Sequence, residues 1–324
     1  MLNDNKNPRN LVLIDGNAIM YRAYYGVNKN FVPTLDGMPV GMVYGFSSIL
    51  LNIIEHLNPT NLVITFDCKE KTFRHKMDEN YKAHRKPAPD DFYPQMPYIE
   101  KMVEAFRIPS FKMPGFESDD LIGSLATKFA GNENLDQTYI VSGDLDFTQL
   151  VSDRVKLLKV TGRISDSPVY GPAEVMARYG IEVSQMVDFK AITGDSSDNY
   201  SGISGVGPKT AQKLLEKFET IDGIYANLED IEPVKLREKF RENKDYLYHC
   251  QKLAAIKTDI EVGYDFSQEF DLDIDSIDEF FEKMGFRALR GRLQRMNNNG
   301  SQDFKSAQKS SSKKCPSEEQ MSLF

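Results

Sequence analysis

Nine carboxylates fall into five short clusters along this chain: Asp15; Asp67; Glu117, Asp119 and Asp120; Asp144 and Asp146; Asp195 and Asp198. Like charges at close range raise each other's pKa, so nine of them share one pocket only if cations neutralise them. Hard divalent cations prefer oxygen ligands, and the expected occupants are two Mg²⁺ or Mn²⁺ ions, some held through water. Two such ions in one acidic bowl suit the hydrolysis of a phosphodiester bond. Any one Asp here is explained as well by a turn or a helix cap. Only their convergence argues for metal.

Convergence requires elements that deliver them. LVLI (11–14) ends in Asp15-Gly16, LVITF (62–66) in Asp67, and TYIVS (138–142) in Gly143-Asp144. Each reads as a short buried strand with helical stretches between. That alternation predicts an α/β fold, a parallel central sheet flanked by helices. Ligands in such sheets sit beyond the carboxyl ends of the strands, where all three Asp residues would lie. Glu117, Asp119 and Asp120 open the helix LIGSLATKFA, where carboxylates suit the N-terminal dipole. From about residue 170 the strand signals fade, and 172–296 reads as a helical subdomain supplying Asp195 and Asp198. The α/β core is placed at 1–171 and the last ordered helix at GFRALRGRLQRM. The polar segment 297–324 is expected to be a disordered tail.

Two further motifs point to nucleic acid. GISGVGPKTAQKLL (202–215) reads as a tight turn opening a helix, with Gly205, Gly207, Lys209 and Thr210 placed to grip a phosphate through backbone N–H groups and one ammonium. It resembles the hairpin of a helix-hairpin-helix element, which holds DNA backbones without reading sequence. From Lys69 to Lys86 there are seven Lys or Arg against three acids, interleaved with Phe73 and Tyr81. Arg74, Lys82 and Arg85 would meet phosphates while the rings stack on unpaired bases. A solvated charged helix is the plainer explanation of that run. Tyr21, Arg22 and Tyr24, just after the Asp15 turn, could meet a base or phosphate, or could simply pack.

The net charge of −8 argues against a nucleic-acid partner until the nine clustered carboxylates are set aside, which leaves +1. No apolar run reaches membrane-spanning length, and MLNDNKNPRN is no signal peptide. Cys68, Cys250 and Cys315 are far apart, as reduced cytoplasmic thiols would be.

These pieces, in order over roughly residues 10–290, resemble the bacterial 5′-nucleases: flap endonucleases and the N-terminal 5′→3′ exonuclease domain of DNA polymerase I. The matching stretches are LVLIDGNAIMYRAYYG, VYGF (43–46), FDCKEKTFRHKMDENYKAHRKPAPDDF, PGFESDDLIGSLA, SGDLDFTQL and ITGDSSDNYSGISGVGPKTAQKLL. The resemblance implies a PIN-like core with a helical arch at about 69–98. It implies one metal on Asp15, Asp67, Glu117, Asp119 and Asp120, and a second on Asp144, Asp146, Asp195 and Asp198. It also implies Lys82 and Arg85 on the scissile phosphate, Tyr24 near the adjacent base, and a K⁺ ion on carbonyls of the 202–207 turn. Leu145 stands where a basic residue is common, and Ser201 where Pro is usual. Neither change removes a metal ligand. The chain stops before any polymerase domain could begin, so a stand-alone, monomeric nuclease is expected.

The last residues, Gln320-Met321-Ser322-Leu323-Phe324, resemble the Gln-x-x-Leu-Phe peptide that bacterial replication proteins place in the β sliding clamp. One amide (Gln320) and two apolar anchors (Leu323, Phe324) on a polar leash suit a peptide-in-pocket mode. The leash 297–319 reaches roughly 25 Å as a flexible chain. The expected activity is Mg²⁺-dependent cleavage of branched or 5′-ended DNA, RNA-primed ends included, for primer removal and repair. Two rivals stand beside it. One is a catalytically silent DNA-binding adaptor for the clamp. The other is a small-nucleotide phosphatase, which would need neither the hairpin nor the basic stretch.

Overall fold

The structure, a computed structural model, describes residues 8–27 and 34–298. The first half of the chain runs β1 (Asn10–Asp15), α1 (Gly16–Gly26), the small hairpin β2 (Thr34–Leu35) and β3 (Met38–Pro39), α2 (Gly41–Leu57), β4 (Pro59–Thr65), α3 (Phe73–Met77), α4 (Met96–Ala105), β5 (Ser110–Phe111), α5 (Ser118–Ala130), β6 (Gln137–Ser142), β7 (Val155–Lys159) and β8 (Val169–Tyr170). Six of these strands form one sheet in the order β5-β4-β1-β6-β7-β8, parallel except for β8 at the edge. The three strands expected from the apolar runs are its centre. The short edge strands β5 and β8 carry too few residues to show a periodic signal.

Both faces of the sheet are buried, which explains why its strands read as unbroken apolar runs. Successive residues still point opposite ways. Leu11, Leu13, Val63, Ile140 and Leu157 enter one core, with Leu121, Ile122 and Leu125 of α5. Val12, Ile14, Leu62, Ile64, Val141 and Leu158 enter the other, with Phe46 and Leu50 of α2 and Met102 of α4.

The remaining helices are α6 (Pro172–Tyr179), α7 (Met186–Thr193), α8 (Pro208–Phe218), α9 (Ile221–Ala226), α10 (Val234–Glu242), α11 (Lys244–Ala254), α12 (Ile274–Lys283) and a last helix over 287–298. Helices α6 to α11 continue the α5 core without a break: Ile192, Leu215, Phe240 and Leu247 belong to the same cluster as Leu11. The chain then returns. Residues 255–273 are not helical, although the sequence suggested continued helix. They run across β4, where the buried Asn61 amide donates to the Tyr264 hydroxyl and to the Phe266 and Gln268 carbonyls. Phe281 of α12, with Phe286 and Leu293 beyond it, packs on the opposite face beside α2 and α4. The expected boundary at 171 therefore does not separate two cores, and residues 274–298 pack on the sheet face opposite the one that carries α7.

The segment expected as a helical arch carries one short helix, α3, and a 3-10 turn at Tyr93–Gln95. Between them Pro87 and Pro89 oppose helix, and Lys82 adopts a left-handed backbone at φ 54°. Among the described residues, no helix is long and apolar enough to cross a membrane. The tail residues 299–324, with Cys315 and the expected clamp peptide, lie outside the described residues.

Candidate metal centre and nucleic-acid interface

Three parallel strands end on one edge, and the turn after each brings an acid to it. Asp15 caps α1: its Oδ1 accepts from the Ala18 N–H at 3.0 Å and its Oδ2 from the Ser142 hydroxyl, at the end of β6, at 2.7 Å. Gly16 is required by close approach, since a Cβ there would lie 2.3 Å from the Phe66 ring and 2.7 Å from the Thr65 carbonyl. The Asp67 N–H donates to Asn17 Oδ1 at 2.9 Å, and its carboxylate accepts from the Ser118 N–H at 2.8 Å. Asp144 accepts from the Asp146 N–H at 2.9 Å.

Asp15, Asp67, Glu117, Asp119 and Asp144 line one cavity of about 460 Å³, with Asn17, Tyr21, Lys82 and Arg85 at its walls. A larger cavity of about 1250 Å³, lined by Tyr21, Arg22, Tyr44, Phe286 and Arg287 among others, contains no acid. The smaller cavity is therefore the one with cation chemistry. Burial pushes the Asp15 carboxyl up to about 6, with the charges of Asp67 and Asp144 adding to it. Desolvation and then Asp15 push Asp119 well up, and desolvation and then Glu117 raise Asp67. Carboxylates whose ionised form is this disfavoured, all facing one space, fit a hard cation as the missing neutraliser.

A second group lies alongside. Asp146, Asp195 and Asp198 each present an oxygen, all within 4.8 Å of one another. The loop that carries the last two is closed by a pair of bonds between Asp195 and Tyr200 (2.9 and 3.1 Å) and by two glycines back to back. Gly194 (φ 78°) and Gly202 (φ 58°) both need a left-handed backbone, and a Cβ on Gly202 would sit 2.4 Å from the Gly194 nitrogen. Lys190 of α7 bridges the group: its ammonium contacts Asp146 and lies 2.6 Å from Asp195. Burial would raise Asp195, but Lys190 and the two Ser197 donors outweigh it and hold the carboxyl at about 2. Asp146 is pushed by burial to about 7 despite the same lysine.

The sequence grouped Asp144 with the second set, whereas the structure places it in the cavity with Asp15 and Asp119. Asp120 is fully buried, and its oxygens are taken up elsewhere. They accept two bonds from Arg74 (2.9 and 2.7 Å) and the N–H groups of Glu117 and Lys257. With both oxygens so engaged, Asp120 is a structural acid and offers no ligand atom to the cavity. Arg74, expected to contact DNA, is 2% exposed and also donates to Glu117 and to the Leu253 and Ala255 carbonyls. Tyr81, expected to stack on a base, is buried instead, its hydroxyl 3.1 and 3.0 Å from Glu117 and Asp198 oxygens and able to donate to either.

Lys82 and Arg85 do reach the acids. The Lys82 ammonium is 3.0 Å from Glu117 and 3.8 Å from Asp198, and Arg85 lies 3.0 Å from Asp198. Tyr24 does not line the acidic cavity; it donates to Asp91 at 2.5 Å and packs edge-on against Phe92. Tyr21, 41% exposed, occupies the cavity wall. Arg22 is held by the Val160 and Gly162 carbonyls. In the 202–207 turn, Gly205 (φ 75°) is left-handed and Gly207 caps α8 with exposed Lys209 and half-buried Thr210 following. The Ser204 carbonyl of that turn, within the stretch expected to hold K⁺, accepts from the Lys239 ammonium at 2.6 Å.

Sequence reasoning passed over Asn17, Ser142 and Lys190. Lys190 had a signal: it is the one cation in MVDFKAIT, a helix whose Met186, Phe189, Ala191 and Ile192 are buried. A lysine on such a helix needs a buried anion.

Residues 10–180 match the family model of the 5′-3′ exonuclease N-terminal resolvase-like domain, and 181–279 that of the 5′-3′ exonuclease C-terminal SAM fold. DNA polymerase I of Bacillus subtilis (strain 168) is 35% identical over 290 residues, covering 88% of this chain and 32% of that protein. The thermostable DNA polymerase I of Thermus filiformis is 35% identical over 284 residues, covering 87% and 33%. The chain thus spans about a third of the length of these curated relatives. In fold it is similar to the T5 D15 protein co-crystallized with metal ions (TM-score 0.66, 19% identity, 85% of this chain and 98% of the other). It is also similar to the catalytic core of Rad2 in complex with DNA substrate (TM-score 0.57, 14% identity, 86% and 88%). By both halves of its sequence and by its fold, the chain belongs to the 5′-3′ exonuclease family.

Proposed function

We propose that this chain is a metal-dependent 5′→3′ exonuclease and 5′-flap endonuclease acting on branched or 5′-ended DNA, RNA-primed ends included. One observation carries the reading. Asp15, Asp67, Glu117, Asp119 and Asp144 face one cavity at the carboxyl edge of the sheet, with Lys82 and Arg85 on its rim. The fold neighbours crystallised with metal ions and with DNA support it.

The cavity acids would hold one Mg²⁺ or Mn²⁺ ion and Asp146, Asp195 and Asp198 a second; bound there, such ions supply an activated water and charge stabilisation on the phosphoryl group. The chain's own residues do the rest. Lys82 and Arg85 leave their carboxylates for the scissile phosphate and neutralise its oxygens. Tyr21, on the wall, offers a ring to the neighbouring base, a part expected of Tyr24. Asp15 and Asp67 are held rigid by Ser142, Ala18 and Ser118, so the ligand cage does not reorganise. Gly205, Gly207, Lys209 and Thr210 present the α8 N-terminus to duplex phosphates, with K⁺ on the turn carbonyls as a further proposal.

The biological task proposed is primer removal and repair, in the cytoplasm, by a monomer tethered to the β sliding clamp through Gln320, Leu323 and Phe324. The test is cleavage of a 5′-labelled double-flap DNA with Mg²⁺ beside Asp144→Ala. Cuts near the junction that vanish with EDTA and in the variant support the reading. Tight flap binding without cleavage in Mg²⁺ or Mn²⁺ would leave a DNA-binding adaptor instead. Removing residues 320–324 is expected to leave flap cleavage intact and abolish co-elution with the clamp.

A further inference from the structure

Lys190 and Tyr200 make an unusual pair beside the second acidic group. The Lys190 ammonium lies between Asp146 and Asp195, where two of the three carboxylates point their oxygens. Asp195 Oδ2 is 2.6 Å from it. Metal–oxygen distances for Mg²⁺ are about 2.1 Å. A divalent ion drawing on the same oxygens would therefore sit almost where the ammonium is, and two cations do not share that space.

The displaced ammonium needs a place to go, because a buried lysine without an acceptor is costly. The Tyr200 hydroxyl supplies one. Tyr200 is 5% exposed, and its hydroxyl oxygen has no hydrogen-bond partner among the described residues. Tyr200 belongs to the same loop as Asp195 and Asp198 and is tied by two backbone bonds (2.9 and 3.1 Å) to Asp195, the acid that holds the Lys190 ammonium. A buried hydroxyl left unpaired in the loop that carries two of the three acids calls for explanation, since nearly all such groups are satisfied.

We infer that Lys190 is a resident cation of the Asp146–Asp195–Asp198 group, that a second divalent ion must displace it, and that the Tyr200 hydroxyl accepts the ammonium when it does. Lys190 is thus a positioning residue that makes second-ion binding weaker than the three carboxylates alone would give. It also keeps the loop folded while the ion is absent. The inference rests on the metal reading of the site but goes beyond it, because it predicts a coupling between two residues that are not ligands.

The experiment is a Mn²⁺ titration of the full chain by calorimetry, without DNA, for wild type, Lys190→Met, Tyr200→Phe and the double variant. Two binding events are expected in wild type. Lys190→Met should tighten the weaker one by about tenfold or more, the worth of one charge-assisted hydrogen bond no longer broken. Tyr200→Phe should weaken it by about tenfold, because the ammonium then leaves Asp146 and Asp195 without gaining the hydroxyl as an acceptor. In the Lys190→Met background, Tyr200→Phe should do nothing. The stronger event should not move in any variant.

Equal effects of Tyr200→Phe with and without Lys190, or no effect in wild type, would overturn the inference. So would unchanged or weakened second-ion binding in Lys190→Met. If Lys190→Met does not fold, Tyr200→Phe in wild type still decides. That variant deletes an unpaired hydroxyl, so its metal-free stability should be no lower than wild type. Absence of any Mn²⁺ binding in wild type would instead sink the metal reading, a distinct result.

Discussion

Asp15→Asn should stabilise the metal-free protein, although it removes a proposed ligand. Burial, with the Asp67 and Asp144 charges behind it, raises the Asp15 carboxyl from 3.8 to about 6. A folded pKa above the unfolded one means the native state binds more protons between pH 4 and 6. Stability is therefore complete below pH 4, falls as pH rises through that window, and stays lost above it. At pH 8 the ionised Asp15 costs the fold about 3 kcal/mol, from a shift of about two units. Asparagine does not titrate. Its Oδ1 can still accept from the Ala18 N–H, and its amide can donate to the Ser142 oxygen that now donates to Asp15. In a protein of this size, 3 kcal/mol corresponds to roughly 4–5 °C in melting temperature. The assay is thermal unfolding by circular dichroism in EDTA at pH 8 and pH 4.5, repeated at pH 8 with Mg²⁺. Asp15→Asn should melt higher than wild type at pH 8 in EDTA, with a gap roughly a third as large at pH 4.5. It should gain less from Mg²⁺, because ligand stabilisation follows affinity. A variant less stable than wild type at pH 8 in EDTA would refute the reasoning, as would a difference that does not shrink on acidification.

Arg74→Met leaves Asp120 buried without its cation and Glu117 with Lys82 alone, so urea unfolding should show a loss of about 3–5 kcal/mol; unchanged stability with weakened DNA binding would restore the DNA-contact role. Gly202→Ala forces a Cβ to 2.4 Å from backbone at φ 58°, and should cost about 2 kcal/mol or more while weakening second-ion binding, read by urea and by Mn²⁺ titration. Lys82→Ala should lower single-turnover flap cleavage by about a hundredfold or more with flap binding largely kept, as loss of one preorganised donor does; a fall in binding alone would make Lys82 an anchor only.

The fold was legible where one strong physical signal repeated. LVLI, LVITF and TYIVS could only be buried strands, and each put an Asp on the same edge. The return of 255–298 was hidden, because what holds 264–268 is the buried Asn61 amide and the rings of Phe111 and Phe129, far away in sequence and without local periodicity. Carboxylates could be recognised as a set but not sorted within it. Asp119 and Asp120 are adjacent and chemically alike, yet the helix turns one toward the cavity and the other onto Arg74. The basic stretch misled for the same reason: nothing in FRHKM or NYKAHRK says which cation faces a buried carboxylate. Tyr24 and Tyr21 differ by less than one helical turn and both pack on Phe92; the Asp91 carboxylate, which takes the Tyr24 hydroxyl, is what draws Tyr24 away.

The same arrangement explains how so many acids coexist before any ion arrives. Glu117 is neutralised by Arg74 and Lys82, Asp198 by Arg85 and Lys82, and Asp146 and Asp195 by Lys190. Asp15, Asp67, Asp119 and Asp144 have no basic partner within salt-bridge distance among the described residues, and burial raises the carboxyls of Asp15, Asp67 and Asp119. That unneutralised remainder faces the cavity and should take the first ion most strongly. The acids already paired with Lys82, Arg85 and Lys190 must exchange a protein cation for a metal. Two of those cations, Lys82 and Arg85, are the groups proposed to meet the scissile phosphate. Filling the centre with metal would therefore free the charges that substrate needs, so metal loading and phosphate binding should reinforce each other. Flap affinity of the Asp144→Ala protein, measured with and without Ca²⁺, should accordingly rise less on adding the ion than that of wild type.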